Sequence, residues 1–279
     1  MAAQWLTGIL IAVGISLGGW KAGALSGRGA LAAMLLGVLV FGGGGLAWAF
    51  VMVLFFVSSS LLSRLNFGAA ERKNKSTDDF SKGSRRDAWQ VAANGGVAGL
   101  AALLHLIYPQ AAWPWLAYCA SLAAANADTW ATELGVLSRR LPVTITSLQP
   151  VERGTSGAVS TTGTLASLAG AALIAVPGAL LWNGRLALEI PLLHHLAILS
   201  IITLAGLGGS LFDSLLGATL QAIYHCPQCD RQTERHPRHR CGAPTTRVRG
   251  LPWLDNDRVN LAATLFAPLL GLALGVLFL

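Results

Sequence analysis

The chain has 279 residues, of which 53% are hydrophobic and only 12% are charged, and its formal net charge is +7. Its mean hydropathy of +0.56 excludes an ordinary water-soluble globular domain. A positive charge is also typical of nucleic-acid binding, but its distribution between apolar segments excludes nucleic acid as a partner here.

Eight apolar segments follow one another along the chain, and each predicts a transmembrane helix. They cover residues 5–20, 29–42, 45–63, 88–107, 112–137, 158–182, 192–223 and 259–279. The second and third are separated only by FGGGG at residues 41–45, so one long bent helix is an alternative there. The fold class predicted is all-α: a single polytopic membrane bundle of about eight helices over residues 1–279. The N-terminus lacks the basic residues and cleavage site of a signal peptide, so the first segment is expected to be retained.

Basic residues occur almost entirely in alternate connections between these segments. Of the 20 Lys and Arg residues, all but Arg185 lie in the odd-numbered connections. By the positive-inside rule, the loops at residues 64–87, 138–157 and 224–257 are cytoplasmic and both termini are outside. This arrangement predicts a multi-pass protein of a bacterial inner membrane or a plasma membrane.

The loop at residues 64–87 is polar and of mixed charge. It is either a solvated basic loop held near anionic headgroups or part of a phosphate-recognition surface. In the second case Lys82, Arg85 and Arg86 steer an anionic nucleotide.

The fifth segment ends in the polar sequence ANADTWATELG. Its polar side chains are Asn126, Asp128, Thr129, Thr132 and Glu133. Helical spacing aligns several of them in a polar wedge, but Asp128 and Glu133 are five residues apart and do not align. Two carboxylates at membrane depth favour a functional site, and interhelical hydrogen bonding is the structural alternative.

The next connection, QPVERGTSGAVSTTG, opens an apolar helix with small polar residues. Free N–H groups and the positive dipole end suit a phosphate, and Arg153, Thr155 and Ser156 add side-chain donors beside Gly154 and Gly157. No GK[ST] follows, so this is not a Walker motif. A helix cap with small-residue packing is the alternative interpretation.

Asp213, in the inner half of the seventh segment, is a third acid that the topology places at the same depth. Three carboxylates beside a phosphate site are what Mg²⁺ requires, with Asp128 and Asp213 as its ligands. Asn94 and Asn256 begin the fourth and eighth helices on the same side and are expected to contact substrate or, alternatively, to cap those helices.

The last constellation is HCPQCDRQTERHPRHRCG. Cys226, Cys229, His239 and Cys241 can surround a structural zinc ion, because a cytoplasmic loop is reducing and favours metal binding over disulfides. His225 and His236 are rival fourth ligands, and a mobile loop with free thiols is the alternative. The remaining cysteine, in an apolar helix, is expected to be a core residue.

In order, the segments QVAANGG, NADTWATELG, VERGTSGAVSTTGTLA, GLGGSLFDSLLGATLQ and HRCG…WLDNDRVN resemble the family of transmembrane protein 19 and the plant phytyl-phosphate kinase, from about Arg85 to Asn260. The resemblance implies an integral membrane kinase that uses CTP or another nucleotide to phosphorylate a prenyl monophosphate such as phytyl phosphate. It implies functional roles for the matching positions, which are Asp128, Glu133, Gly154, Thr155, Ser156 and Asp213.

Two other functions fit the same composition. A carrier for an anionic solute would place its polar groups around the midplane with access to both faces. A non-catalytic membrane scaffold would use the cysteine loop to bind a partner. The sequence contains no pattern that specifies an oligomeric state.

Overall fold

The computed structural model describes residues 2–70, 85–184, 186 and 189–278. Lys82 and most of the loop at residues 64–87 lie outside the described residues, as does Arg185. Within this part the helices are Ala2–Lys21 (α1), Gly27–Ala70 (α2), Ala88–Ile107 (α3), Trp113–Gly135 (α4), Thr161–Leu180 (α5), Leu192–Thr219 (α6) and Asn256–Phe278 (α7). The all-α membrane bundle is confirmed. Helix α2 continues about seven residues past the predicted end at residue 63, and the other helix ends lie within about four residues of the predicted segments.

Helix α2 reverses direction at Gly45, whose backbone is non-helical (φ 77°, ψ −164°). A straight helix would separate Gly27 from Arg64 by roughly 55 Å at about 1.5 Å per residue. Instead, the Arg64 guanidinium donates to the carbonyl oxygen of Ala22, just before α2 begins. The two halves of α2 therefore cross the bundle separately, and the seven helices make eight passes.

The described residues contain six candidate membrane spans by length and apolarity. Helix α2 is one of these six spans. Helix α4 is not among them, because its polar second half lowers its mean hydropathy. Helix α4 is nevertheless the centre of the bundle, because it packs against α2, α3, α5, α6 and α7. Residues 114–127 are all buried, including the predicted core residue Cys119.

Small residues permit the close approach of α4 to its neighbours. A Cβ on Gly209 of α6 would lie 2.6 Å from that of Ala124, and a Cβ on Gly206 would lie 2.7 Å from that of Ala123. Such contacts are the usual basis of helix association in membranes, where lipid removes most of the hydrophobic driving force. They bring the inner halves of α4 and α6 side by side.

Two small sheets lie in the connections. Val143–Thr144 (β1) pairs with Ala158–Val159 (β2), between α4 and α5. Ile223–Cys226 (β3) lies between Arg231–Thr233 (β4) and Thr246–Arg249 (β5), all antiparallel, between α6 and α7.

The described odd-numbered connections meet at one end of the bundle, which we call the loop end. The Ser26 N–H donates to the Arg86 carbonyl oxygen (2.9 Å), and Ser156 contacts Gln221. The basic residues of these connections therefore share one end, as the charge pattern predicts. The cytoplasmic position of this end remains a prediction.

Candidate functional site

A polar cavity of about 180 Å³ opens at the loop end, between α4, α5, α6 and the connection before α5. Eight of the residues predicted from the sequence line it: Asp128, Arg153, Gly154, Thr155, Ser156, Gly157, Asp213 and Asn256. Hydroxyl groups complete much of the wall, from Thr132, Ser160, Thr164, Ser167, Ser210 and Ser214. Tertiary structure thus joins the polar end of α4, the glycine turn and the acid of α6 in one cavity.

Asp128 and Asp213 bring two carboxyl groups to this cavity from adjacent helices. The Oδ2 atom of Asp213 is buried and has no hydrogen-bond partner among the described residues. An isolated buried carboxylate is costly unless a cation or donor compensates it. The pair therefore has the donor chemistry of a divalent cation site, and Asp213 Oδ2 is the atom left open for an ion.

A third acid in the cavity is Glu234, which no sequence pattern singled out. It follows β4 directly, in a long polar loop where one acid looks like any other. The only sequence signal is its position between the predicted zinc ligands Cys229 and His239. The pairing of β3 with β4 brings it back to the bundle.

Glu133 and Asn94 do not line the polar cavity. Glu133 lies near Arg86, where burial lowers the pKa of the guanidinium to about 10 and the charge of Glu133 opposes that effect. The Arg86 guanidinium also lies 5.6 Å and 5.9 Å from the ring centroids of Phe55 and Phe56. Asn94 and Arg86 line a separate, mainly apolar cavity of about 70 Å³ between α1, α2 and α3.

Asn126 of the predicted polar wedge joins three helices. Its amide donates to the Gly170 carbonyl oxygen of α5 (2.8 Å) and accepts from the Ser58 hydroxyl of α2 (2.9 Å). The interhelical hydrogen bonding given as the structural alternative is thus present at Asn126. Thr129 donates only within α4, to the Ala125 carbonyl oxygen (2.9 Å), while Asp128 and Thr132 line the cavity.

Arg153 supplies a cation to the wall of the cavity. Its Nη2 donates to the Ser138 carbonyl oxygen (2.7 Å), which fixes the position of the side chain. Its Nε is buried with no hydrogen-bond acceptor in the described part of the chain. A half-buried guanidinium with an unused Nε donor suits a phosphate oxygen, because such charge-assisted hydrogen bonds are strong.

The N-terminus of α5 opens onto the same cavity. Ser160 caps the helix by accepting from the Gly163 N–H (3.1 Å), and both residues line the cavity together with Thr164. The first N–H groups of a helix have no intrahelical acceptors and favour anions. The lining therefore combines two groups that favour anions, Arg153 and the α5 N-terminus, with the acids of α4 and α6.

The glycine turn is held by contacts with α6 and with the loop that follows it. The Ser156 hydroxyl donates to Gln221 Oε1 (2.7 Å), and Gln221 Nε2 donates to Glu234 Oε1 (2.8 Å). Arg249 Nη2 donates to the Ser156 carbonyl oxygen (3.3 Å). The turn and the third acid therefore belong to one hydrogen-bonded network.

Three cysteines and one histidine form a compact cluster in the connection between α6 and α7. The ligand atoms of Cys226, Cys229, His239 and Cys241 all lie within 4.8 Å of one another. Cys226 Sγ is 3.5 Å from Cys241 Sγ, and His239 Nδ1 is 3.3 Å from Cys241 Sγ. Ligands of a tetrahedral zinc ion are separated by roughly 3.5–3.8 Å, given bonds of about 2.0–2.3 Å. The cluster can therefore hold a metal ion.

The rival histidines have other partners. His225 Nε2 lies 3.0 Å from Asp230 Oδ1, and His236 stacks on Tyr224 with ring centroids 4.3 Å apart. Within the cluster, hydrogen bonds from the Ala243 N–H and from His239 lower the pKa of Cys241 to about 6. Hydrogen bonding with Cys241 raises the pKa of Cys229 to about 11. The thiolate is the form that binds metal, so the two thiols differ in how readily they reach it.

Over most of its length this chain is similar to integral membrane proteins. A family model described as "Integral membrane protein DUF92" matches residues 10–268. The chain is similar to Protein PGR of Arabidopsis thaliana, with 28% identity over 94% of this chain and 93% of that protein. It is also similar to an uncharacterized membrane protein of Methanocaldococcus jannaschii, with 29% identity over 90% and 86% of the two chains.

A third relative is an uncharacterized membrane protein of Synechocystis, 33% identical over 68% of this chain and 69% of that protein. No solved structure matches. These relatives extend over both the membrane bundle and the loop end. Their names specify no reaction, so any function must be argued from the cavity.

Proposed function

This chain belongs to the DUF92 family of integral membrane proteins, and we propose that it is a lipid kinase. The reaction proposed is transfer of a phosphoryl group from a nucleotide such as CTP to a prenyl monophosphate such as phytyl phosphate. The observation that supports it is the presence of Asp213 and Arg153 in one cavity, each with a buried polar atom that has no hydrogen-bond partner among the described residues.

The cavity contains both carboxylates and anion-binding groups, which indicates that it binds a cation and a phosphate together. The carboxylates of Asp128 and Asp213 suit a cation, and the Arg153 guanidinium with the α5 N-terminus suits phosphate oxygens. A bound divalent cation such as Mg²⁺ would supply charge neutralisation between phosphate groups. The cavity therefore has the groups that a nucleotide with its cation requires.

The chain's own residues would then perform positioning and electrostatic stabilisation. Phosphoryl transfer needs in-line alignment and positive charge around the transferring group rather than a covalent intermediate. Arg153 and the N–H groups at the start of α5 would hold phosphate oxygens, while residues 154–157 allow close approach of the backbone. A prenyl monophosphate is already ionised, so this reaction needs no general base.

The lipid nature of the acceptor is supported by the location of the cavity. It lies at the end of a membrane bundle, where an anionic headgroup can reach the cavity while its chain remains among helices or lipid. The apolar cavity beside Arg86 offers one place for part of such a chain. We propose that the loop end is cytoplasmic, which gives a soluble nucleotide access to it.

For the cysteine cluster we propose a structural zinc ion. Three sulfurs and one imidazole nitrogen are ligands that zinc prefers in closed, four-coordinate sites. Metal analysis of the purified protein tests this proposal, with about one zinc ion expected per chain.

The kinase proposal is tested by incubating purified protein in lipid nanodiscs with Mg²⁺, γ-labelled nucleotide, and a panel of prenyl alcohols and prenyl monophosphates. We expect label in a prenyl diphosphate. No labelled lipid across the panel would contradict the proposal. Uptake of an anionic solute by proteoliposomes without nucleotide turnover would favour the carrier instead.

A further inference from the structure

Strands β3 and β4 form a hairpin whose two ends have different contacts. The predicted zinc ligands Cys226 and Cys229 lie at its closed end, where β3 turns into β4. Gln221 precedes β3 and Glu234 follows β4, so both lie at its open end, beside the polar cavity. The hairpin thus connects the metal cluster with the third acid of the cavity.

The open end is fastened to the phosphate turn through the buried side chain of Gln221, in addition to the contact of Arg249 with Ser156. Gln221 is 1% exposed, accepts from the Ser156 hydroxyl (2.7 Å) and donates to Glu234 (2.8 Å). The backbones of Gly250 and Gln221 are in close contact, because a Cβ on Gly250 would lie 1.9 Å from the Gln221 carbonyl oxygen. Gln221 is therefore anchored to the bundle, and a shift of Glu234 would break its hydrogen bond to this fixed side chain.

Strand β4, which leads to Glu234, is the least supported strand of this sheet. It has three residues and lies at the edge, paired with β3 alone, whereas β3 is buried at Ile223 and also pairs with β5. So short a pairing is marginal in water. His239 and Cys241 come from the next segment, so a metal ion would cross-link that segment to the hairpin tip and supply folding energy.

We infer that metal held by the cysteine cluster positions Glu234 as a third carboxylate of the cavity, so that occupancy of the cluster sets the cavity's affinity for a divalent cation. This inference rests on the proposed function only in that the cavity binds such a cation. Zinc would not touch substrate; its ligands would act as positioning residues for Glu234, which belongs to the cation site itself. Loss of zinc should therefore weaken cation binding while the helix bundle stays folded.

The test uses full-length protein and Mn²⁺ as the probe, measured by electron paramagnetic resonance without nucleotide or added prenyl lipid. Cys229→Ser should lose zinc and bind Mn²⁺ about 10-fold more weakly, the scale expected for an outer partner of a metal site. Glu234→Gln should keep its zinc and show a similar loss. The double variant should show no further loss, because both changes remove the same group.

Two variants on the same loop serve as controls. Asp230→Asn removes an exposed acid, and His225→Ala removes its imidazole partner; neither residue belongs to the cluster or the cavity. Both should retain zinc and native Mn²⁺ affinity. Thermal unfolding of the bundle should be nearly unchanged in all these variants, which separates local release of Glu234 from global unfolding.

The inference is overturned if native protein contains no zinc, if it binds no Mn²⁺, or if Cys229→Ser loses zinc with unchanged Mn²⁺ affinity. An unaltered Mn²⁺ affinity in Glu234→Gln also overturns it. Coupled zinc and Mn²⁺ binding in a protein that phosphorylates no lipid would support the inference and count against the kinase. The two proposals can therefore fail separately.

Discussion

Gly157 lies against the backbone of Ala218 so closely that a Cβ on the glycine would be 2.2 Å from the Ala218 nitrogen. The contact joins the phosphate turn to the C-terminal end of α6, the helix that also carries Asp213. Gly157 also has φ +80°, a conformation that other residues adopt at a cost. Both its position and its conformation therefore require glycine.

We expect Gly157→Ala to destabilise the protein and to abolish lipid phosphorylation. The left-handed backbone and the clash with Ala218 should together cost more than about 2 kcal/mol. Thermal unfolding and the labelled-nucleotide assay measure the two effects. Gly23→Ala is the matched control, because Gly23 has φ +75° and a Cβ added there would meet nothing within 4 Å.

Gly23→Ala should lose only about 1 kcal/mol, from backbone strain alone, and keep its activity. Equal effects of the two alanine substitutions would show that the contact with Ala218 is unimportant.

Replacing either cavity carboxylate should separate activity from stability. Asp213→Asn and Asp128→Asn should each lower prenyl-diphosphate formation about 100-fold or more, because the charge that would bind the cation is lost. Asp213→Asn should also raise the thermal midpoint, since a buried unpaired carboxylate is costly to fold. Asp230→Asn, which changes an exposed acid, should alter neither quantity. Full activity in both cavity variants would refute the site assignment.

Arg153→Gln should raise the KM for the nucleotide roughly tenfold or more, because a hydrogen bond between charged groups is lost. The KM for the prenyl phosphate should change less if Arg153 binds the nucleotide. Steady-state kinetics with each substrate varied in turn distinguish these effects. Arg139→Gln, an exposed arginine on the same connection, is the control and should leave both constants unchanged.

Asn126→Ala tests the structural part of the polar wedge. Loss of its hydrogen bonds to α2 and α5 should lower stability by about 1 kcal/mol, the usual scale for such contacts in membranes. Because Asn126 does not line the cavity, KM values should remain native. A large rise in the KM for either substrate with unchanged thermal stability would instead place Asn126 in the site.

The orientation can be tested with an epitope placed in two positions. An epitope after the C-terminus should be accessible to antibody in intact cells. The same epitope inserted at the exposed Ser147 should become accessible only after permeabilisation. The charge asymmetry between connections is the physical reason. The reverse pattern would invert the predicted topology and remove the cavity's access to cytosolic nucleotide.

The sequence by itself determined the membrane class, the approximate positions of the passes and the gathering of basic connections at one end. These features depend on local quantities, namely the length of apolar segments and the charges between them. Asp128 and Asp213 could be assigned to a common site for the same reason. Two acids in the inner halves of helices must avoid lipid, and topology places them at one depth.

Tertiary structure alone decided which groups at that depth meet. The sequence FGGGG allowed either a bend or a reversal, and the contact of Arg64 with Ala22 shows a reversal at Gly45. Asn94 lines another cavity because packing sets the rotation of a helix about its axis, whereas the spacing of Glu133 from Asp128 already predicted that these two acids do not align. Glu234 enters the cavity because strand pairing brings together residues that are distant in the chain. The fold also selects His239 from the three candidate histidines, because His225 and His236 have other partners.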